Sequence, residues 1–301
     1  MPSTKDIRRR IKGVKSTGKI TRAMEMISAV KMRRAVQNAL GLRPYAESAW
    51  QVLGKVSEAG QLHSHPLLAA RPVRQVLMVA VTSHRGLCGS FNAQVMRQVK
   101  GELEKLQNIE RVDFVSLGKK GDVGLRRFSR TIVASFPEVV IEPTAEKVRP
   151  VAKMVLDAYS RAEYDQVMLV YTDYVSALVQ KVRTRTLLPL SSLEMKASLN
   201  DMGESKHARP TESLRAEFVI EPEPQTVLEA LVPRLLEMEI HHALLESNAS
   251  QEAARMVAMR NASDAAKEMT DTLTLSYNQL RQAKVTQEIA ELSAGMAAVG
   301  G

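Results

Sequence analysis

Cysteine is almost absent: Cys88 is the only one in 301 residues. One thiol cannot form an intramolecular disulfide or a CxxC zinc site. Aromatic residues make up only 4%, with a single tryptophan. A core so poor in rings is built from aliphatics, alanine and the 15 methionines, which suits helix-on-helix packing better than an aromatic-rich β-sandwich. Long apolar runs are missing as well. The longest, Val76–Val81, falls far short of the ~20 residues a membrane-spanning helix needs. No apolar stretch of the secretory type follows the basic start. Hydrophobic residues at 45% and charged residues at 25% nevertheless match a globular chain, so wholesale disorder is excluded.

Acidic residues are scarce at one end. Residues 1–57 hold thirteen Lys or Arg but only Asp6, Glu25 and Glu47, a net of +10 against +9 for the whole chain. Such a block is either a solvated helix face or a site for an anionic partner: nucleic acid, lipid headgroups or an acidic protein surface. Nucleic acid is the less favoured partner. Tyr45 and Trp50 are the only aromatics of the segment, and both lie beyond the main cationic cluster, which leaves no stacking platform.

The chain divides into three parts. Residues 3–57 predict one long helix, with Ser3, Thr4 and Asp6 as starting residues and no proline between Pro2 and Pro44. Ile7, Ile11 and Val14 keep the four-three spacing of a coiled-coil seam. From Ile20 to Met32 apolar residues cover most of the circumference, the mark of a helix enclosed by partners. Residues 72–192 change character. Val76–Val81, Val112–Leu117, Thr131–Ser135, Val167–Tyr171 and Val182–Leu190 read as strands, with helices near Ala93–Leu106 and Glu146–Arg161 between them. That alternation argues for an α/β layer with a mostly parallel sheet. Ser192–Arg215 reads as a polar loop. From Gln225 to about Val299 no glycine occurs before Gly295, and only Pro233 interrupts. Leu235, Met238, His242, Leu245, Ala249, Met256, Met259, Ala266, Leu273, Tyr277 and Leu280 fall on heptad positions. The small seam residues Ala249, Ala253, Ala262, Ala265 and Ala266 let two helices approach closely. Two long terminal helices of this kind can pair antiparallel, with the α/β domain inserted between them.

Familiar catalytic patterns fail on inspection. Gly13-Val-Lys-Ser-Thr-Gly18-Lys19 matches GxxxxGK, but Ile20 stands where magnesium chemistry needs Ser or Thr, and no strand precedes it. Arg85–Asn92 follows a strand and precedes a helix. It is either a ligand loop or a tight turn needing glycine freedom, and the turn is the simpler account. Cys88 has only His84 nearby and no orienting acid, so an inert thiol is expected. Neither His63 and His65 nor His241 and His242 have the i, i+4 spacing of a helical metal pair, and His207 stands alone. No catalytic, cofactor-binding or metal-ligating residues are assigned.

Four stretches carry a family resemblance. They are Ile7–Arg34, with its KIT-x-AMEM run and KMRR ending; the Arg85-Gly-Leu-Cys-Gly-Ser-Phe-Asn92 loop; Ala243–Asp264; and Tyr277–Glu291 with Gly295 following. In this order they resemble the gamma subunits of F-type ATP synthases, the central rotor shaft. Ser90 stands where that family often has glycine, and Met296 where it usually has alanine. The single cysteine rules out a chloroplast-type regulatory dithiol.

The resemblance implies a long antiparallel coiled coil of N- and C-terminal helices with an inserted Rossmann-like α/β domain. The expected division is 1–70 for the first helix, 71–204 for the inserted foot, and 205–301 for the second helix with its lead-in. It implies a non-catalytic subunit without cofactor that couples proton-driven rotation of a c-ring to ATP synthesis. Its partners would be the alpha and beta subunits of a hexamer, the epsilon subunit and c-ring at the foot, and the delta subunit in the same complex. No nucleic acid is expected, and membrane contact only through the c-ring. By resemblance, Arg281 and Gln282 match a polar pair that catches a beta-subunit loop, Thr286 and Glu288 lie further along the same motif, and Met24 matches a region near acidic lever segments of beta. The expected location is the cytoplasmic face of a bacterial inner membrane, as a peripheral protein. The rival readings are a basic coiled-coil nucleic-acid binder and a small α/β enzyme with helical arms.

Overall fold

The computed structural model describes residues 3–58, 67, 71–190 and 223–299. The stretch Ser192–Arg215 and residues His63, His65 and His207 lie outside the described residues. The expected boundaries at 70/71 and 204/205 fall at or beyond their limits. Two long helices, α1 (Thr4–Glu58) and α5 (Pro224–Val299), flank all the other elements in sequence. The chain forms two compact units, one of residues 1–29 and 255–301, the other of residues 30–254.

The larger unit holds a five-stranded sheet. Its strands are β1 (Gln75–Val81), β2 (Arg111–Leu117), β3 (Ile132–Phe136), β4 (Gln166–Tyr174) and β5 (Gln180–Leu188), in the order β3-β2-β1-β4-β5. β1 pairs parallel with both β2 and β4, and β2 with β3, while β5 returns antiparallel to β4 through a short turn. The helices α2 (Phe91–Lys105), α3 (Lys119–Leu125) and α4 (Ala145–Ser160) fill the connections. Parallel crossovers put helices on both faces, and this explains the unbroken run Val76–Val81. Val76, Met78 and Ala80 pack with Val95 and Val99 of α2 on one side. On the other, Leu77, Val79 and Val81 join a core with Val151 and Val155 of α4 and with Leu235, Leu236 and Ile240 of α5.

Polar contacts fix α5 onto this domain. Ser250 Oγ donates to the Thr172 carbonyl (3.3 Å), Asn248 Nδ2 to the Val140 carbonyl (3.2 Å), and a His241 ring nitrogen meets the Pro143 carbonyl (3.1 Å). The half-buried Arg185 pairs with the buried Glu239 at 3.4 Å. The Arg185 guanidinium also stands 5.6 Å from the centroid of the Tyr171 ring. Tyr171 is fully buried, and its phenol is pushed well above the ordinary range, by burial first and by the Glu246 carboxylate second.

The sequence pattern does not anticipate α3, whose seven residues KKGDVGL carry two glycines and little periodicity. It forms because the chain must turn sharply at the end of β2. Gly118 sits at φ +100°, and a Cβ there would collide with the Thr82 backbone carbonyl. The Arg85–Asn92 segment is likewise a knitted turn, with Leu87 and Gly89 at φ 63° and 56°. Asn92 Oδ1 accepts from the Ser83 amide (3.0 Å), and Asn92 Nδ2 donates to Ser83 Oγ (2.8 Å) and Cys88 Sγ (3.3 Å).

Candidate functional site

The smaller unit is a helix pair, and the middle of its seam is rich in small and polar side chains. Along α1, Ile7, Thr21 and Ser28 are buried and Val14 half-buried, one every seven residues. That spacing is the heptad repeat that keeps one helix face on its partner. Thr21 Oγ1 lies 2.9 Å from Ser263 Oγ, and Ser263 Oγ donates to the Gly18 carbonyl at 3.3 Å. A Cβ added at Gly18 would stand 3.3 Å from the Ala266 Cβ. Gly18 faces residue 266 and Thr21 faces residue 263, so the two helices run antiparallel. The start of α1 is capped: Ser3 Oγ accepts from the Asp6 amide (3.2 Å) and donates to the Asp6 carboxylate (2.8 Å).

The large apolar residues of the same segment point outward. Ile20, Met26 and Ile27 are more than half exposed (58, 58 and 56%). On α5, Leu275, Val285, Ile289, Leu292 and Met296 are exposed too. This reverses the usual amphipathic helix, which hides its large apolar face against its own chain. The all-round apolar pattern of Ile20–Met32 is therefore resolved into an inner face of Thr21, Met24 and Ser28 and an outer one of Ile20, Met26, Ile27 and Val30.

Cations occupy the remaining surface. Lys5, Arg8, Lys12, Lys15, Lys19 and Arg22 repeat at three-four spacing, and all are exposed. At 3.6 residues per turn they fall within an arc of about 100°. Beside them a groove of about 610 Å³ runs between the helices, floored by Val14, Gly18 and Ala266 and flanked by Lys19, Arg22 and Lys267. The GxxxxGK match lies inside continuous helix, not in a loop.

The residues singled out by resemblance lie at two levels of this pair. Arg281, Gln282, Thr286 and Glu288 are exposed on α5. Gln282 and Thr286 share a face, and Thr286 Oγ1 donates back to the Gln282 carbonyl (3.0 Å). Arg281 and Glu288, seven apart, share another, with Glu288 also 3.7 Å from Lys284. Met24 is half-buried on α1, between Thr21 and Ser28. By the 18-to-266 and 21-to-263 register it faces residue 260, about 30 Å along the axis from Arg281 at 1.5 Å per residue. The structure does not bring the two groups together. Among the described residues no cluster of His, Cys, Asp and Glu could hold a metal ion.

A family model described as ATP synthase matches residues 3–299. The ATP synthase gamma chain of Heliobacterium modesticaldum is 39% identical over 300 residues, covering the whole of both chains. That of Pelotomaculum thermopropionicum is 40% identical over 299 residues, covering 99% of this chain and all of its own. Among solved structures, a chain from the cryo-EM structure of the Tetrahymena thermophila mitochondrial ATP synthase, described as central stalk and c-ring, aligns with a TM-score of 0.58 at 27% identity. The alignment covers 81% of this chain and 99% of that one.

Proposed function

The chain belongs to the ATP synthase gamma chain family, and from that premise we propose that its helix pair is the turning shaft at the centre of an F-type ATP synthase, a non-catalytic central-stalk subunit. The observation that carries this reading is the inverted distribution of side-chain size. Around Gly18, Thr21, Ser263 and Ala266 small residues close the pair, while Ile20, Met26, Ile27 and a row of cations face outward, as a shaft enclosed by other subunits requires.

Proton flow turns a c-ring, the ring turns the inserted α/β domain as a foot, and the helix pair turns inside a hexamer of alpha and beta subunits. Epsilon and the c-ring meet the foot, and delta belongs to the same complex. The catalytic residues are the partners'. Each helix face carries different side chains, so three equivalent beta subunits receive different contacts at any one angle. Differential contact free energy is what sets a different conformational equilibrium in each. Arg281 and Gln282 serve as a polar catch for one beta-subunit loop, with Thr286 and Glu288 extending it. Met24 sits at the level of acidic levers. The cationic stripe faces those levers through screened, diffuse attraction, which tolerates sliding better than a few deep ion pairs.

Among the described residues no helix is long and apolar enough to cross a membrane. The chain is a peripheral part of a membrane-associated complex. Its place is the cytoplasmic face of a bacterial inner membrane, a reading supported by whole-length relatives from bacteria. The test is the subunit composition of the native complex isolated through a tag on this chain. Alpha and beta subunits with ATPase activity are expected. Recovery of nucleic acid at physiological salt, with no ATPase subunits, would refute the reading.

A further inference from the structure

The turn between β4 and β5 displays apolar side chains that the coupling scheme leaves unused. Leu178 is 80% exposed, the most of any large apolar residue described, and Val175 and Val179 beside it are 52% and 45% exposed. Turn tips are ordinarily polar. This one is also held stiffly. The Ser176 amide donates to the Val179 carbonyl (2.9 Å), and Ser176 Oγ accepts from the amides of Leu178 (3.3 Å) and Val179 (3.1 Å). Gln180 Nε2 donates to the carbonyls of Ser176 (3.2 Å) and Ala177 (3.1 Å). A tip ordered in advance loses little entropy on docking.

The base of the hairpin lies beside a basic stretch of α1. The Tyr174 hydroxyl lies 3.8 Å from Met32 Sδ, which ties the base of the hairpin to α1. Lys31, Arg33 and Arg34, the neighbours of Met32 in α1, are exposed, as is Lys181 at the start of β5. Asp173, the carboxylate opposite Lys181 in the strand register, is engaged by Arg183 at 2.7 Å.

We propose that this tip docks into an apolar cleft rimmed by carboxylates on a neighbouring subunit of the same complex, with Leu178 as the anchor. The proposal rests on the rotor reading and adds a contact to it. Charge complementarity selects the occupant, since a specific interface has an apolar core, a polar rim and potentials of opposite sign across it. A second copy of this chain would set the same cations against one another. A lipid surface would call for an aromatic side chain at headgroup depth, and Val175, Leu178 and Val179 are all aliphatic.

The experiment places the photo-crosslinking residue p-benzoylphenylalanine at position 178 and irradiates the assembled, membrane-bound complex, purified through a tag on another subunit. The expected result is one adduct with one neighbouring subunit, mapped to an apolar segment carrying at least two carboxylates, and its loss when Arg33 and Arg34 are changed to Glu. An adduct with lipid, with a second copy of the chain or with a segment free of carboxylates overturns the proposal, as does the absence of any adduct. In each of those cases the chain still co-purifies with the other subunits, so the rotor reading stands. Its absence from the complex would sink both. Leu178→Ser is the companion variant. It should keep the wild-type melting temperature, because the side chain is 80% exposed, while the complex carrying this substitution loses the chain more readily in a salt wash. Unchanged retention counts against the anchor.

Discussion

Gly18→Val puts the helix seam to a direct test. The new Cβ would stand 3.3 Å from the Ala266 Cβ, closer than nearly all real Cβ contacts, and two further methyls must find room. The helices have to separate. Overpacking of this kind costs about 1–3 kcal/mol. Separation also stretches the Thr21–Ser263 contact at 2.9 Å and the Ser263–Gly18 carbonyl bond at 3.3 Å. Each such bond contributes about 1 kcal/mol net. Replacing glycine in a helix returns roughly 0.4 kcal/mol. The balance is a loss of about 2–4 kcal/mol in local pairing, and at 1.4 kcal/mol per decade amide exchange across residues 10–28 and 258–274 should accelerate by roughly 30- to 1,000-fold. Hydrogen exchange read by mass spectrometry on the purified chain measures this. Gly13→Val is the control, because nothing lies within 4 Å of that site, and it should leave protection unchanged or raise it. Ala266→Gly should rescue most of the loss. Equal protection in Gly18→Val and Gly13→Val would show that the two helices do not meet at this seam.

Other expectations follow from the exposed shaft surface and the buried core. Met24→Lys adds a cation at the level proposed for the acidic levers and should lower the proton pumping obtained per ATP hydrolysed. Unchanged coupling in membrane vesicles would count against it. Arg281→Ala removes an exposed guanidinium that is not needed for the pair to form, so assembly should persist while steady-state ATPase turnover slows; wild-type turnover in an assembled variant would argue otherwise. Tyr171 is expected to shape alkaline stability. Its hydroxyl has no hydrogen-bond partner among the described residues, and burial holds the phenol neutral well above its ordinary value near 10. The stability this contributes is fully present below pH 10, and it is lost at about 1.4 kcal/mol per pH unit as pH rises towards the raised folded value. Tyr171→Phe should therefore unfold at neutral pH with little or no penalty and show a shallower decline above pH 10, by one proton. Identical slopes in urea melts of the two proteins between pH 10 and 11 would refute the assignment.

Periodicity made most of the architecture legible. The strands lie within a few residues of their apolar runs because β1, β2 and β4 are buried on both faces, so their hydrophobicity is nearly continuous. β4 runs past its expected end to Tyr174, and β5 starts two residues earlier and ends two residues earlier than Val182–Leu190, since Asp173, Tyr174 and Gln180 extend a hairpin whose polar, half-buried ends carry no apolar signal. α3 was invisible because Gly118 and its contact with Thr82 build it, not a helical stripe. The heptad of α5 predicts its buried face from Leu235 to Leu280, where every named position is buried or half-buried. On α1 the four-three spacing of Ile7, Ile11 and Val14 marks the inward face, with Ile7 buried and the other two half-buried, but from Ile20 onward composition does not show it. Ile20, Met26 and Ile27 look like core and are surface, while Thr21 and Ser28 look like surface and are core. Hydrophobicity ranks residues by transfer free energy, but a seam between two helices also selects by size, and only the partner at Ser263 and Ala266 reveals that choice. Arg281, Gln282, Thr286 and Glu288 came from resemblance alone, because an exposed polar stretch of helix carries no periodic signature of what it touches.

That inversion of size has a mechanical consequence. Had Ile20, Met26 and Ile27 filled the seam, the pair would be more stable alone and would offer its surroundings only polar atoms. Burial of apolar surface is non-directional, so an aliphatic outer face gains similar free energy at many angles of rotation. Exposed cations add attraction that decays within about 8 Å in physiological salt and is likewise tolerant of displacement. Hydrogen bonds are different, since they weaken steeply with misalignment. A shaft that must turn therefore needs aliphatic and diffuse ionic contacts along most of its length, and directional contacts at only a few points where position has to be sensed. The outward Ile, Met and Val side chains meet the first requirement. The polar groups at Arg281 and Gln282 have the chemistry of the second, and this is why changing them should alter turnover without dissolving the complex.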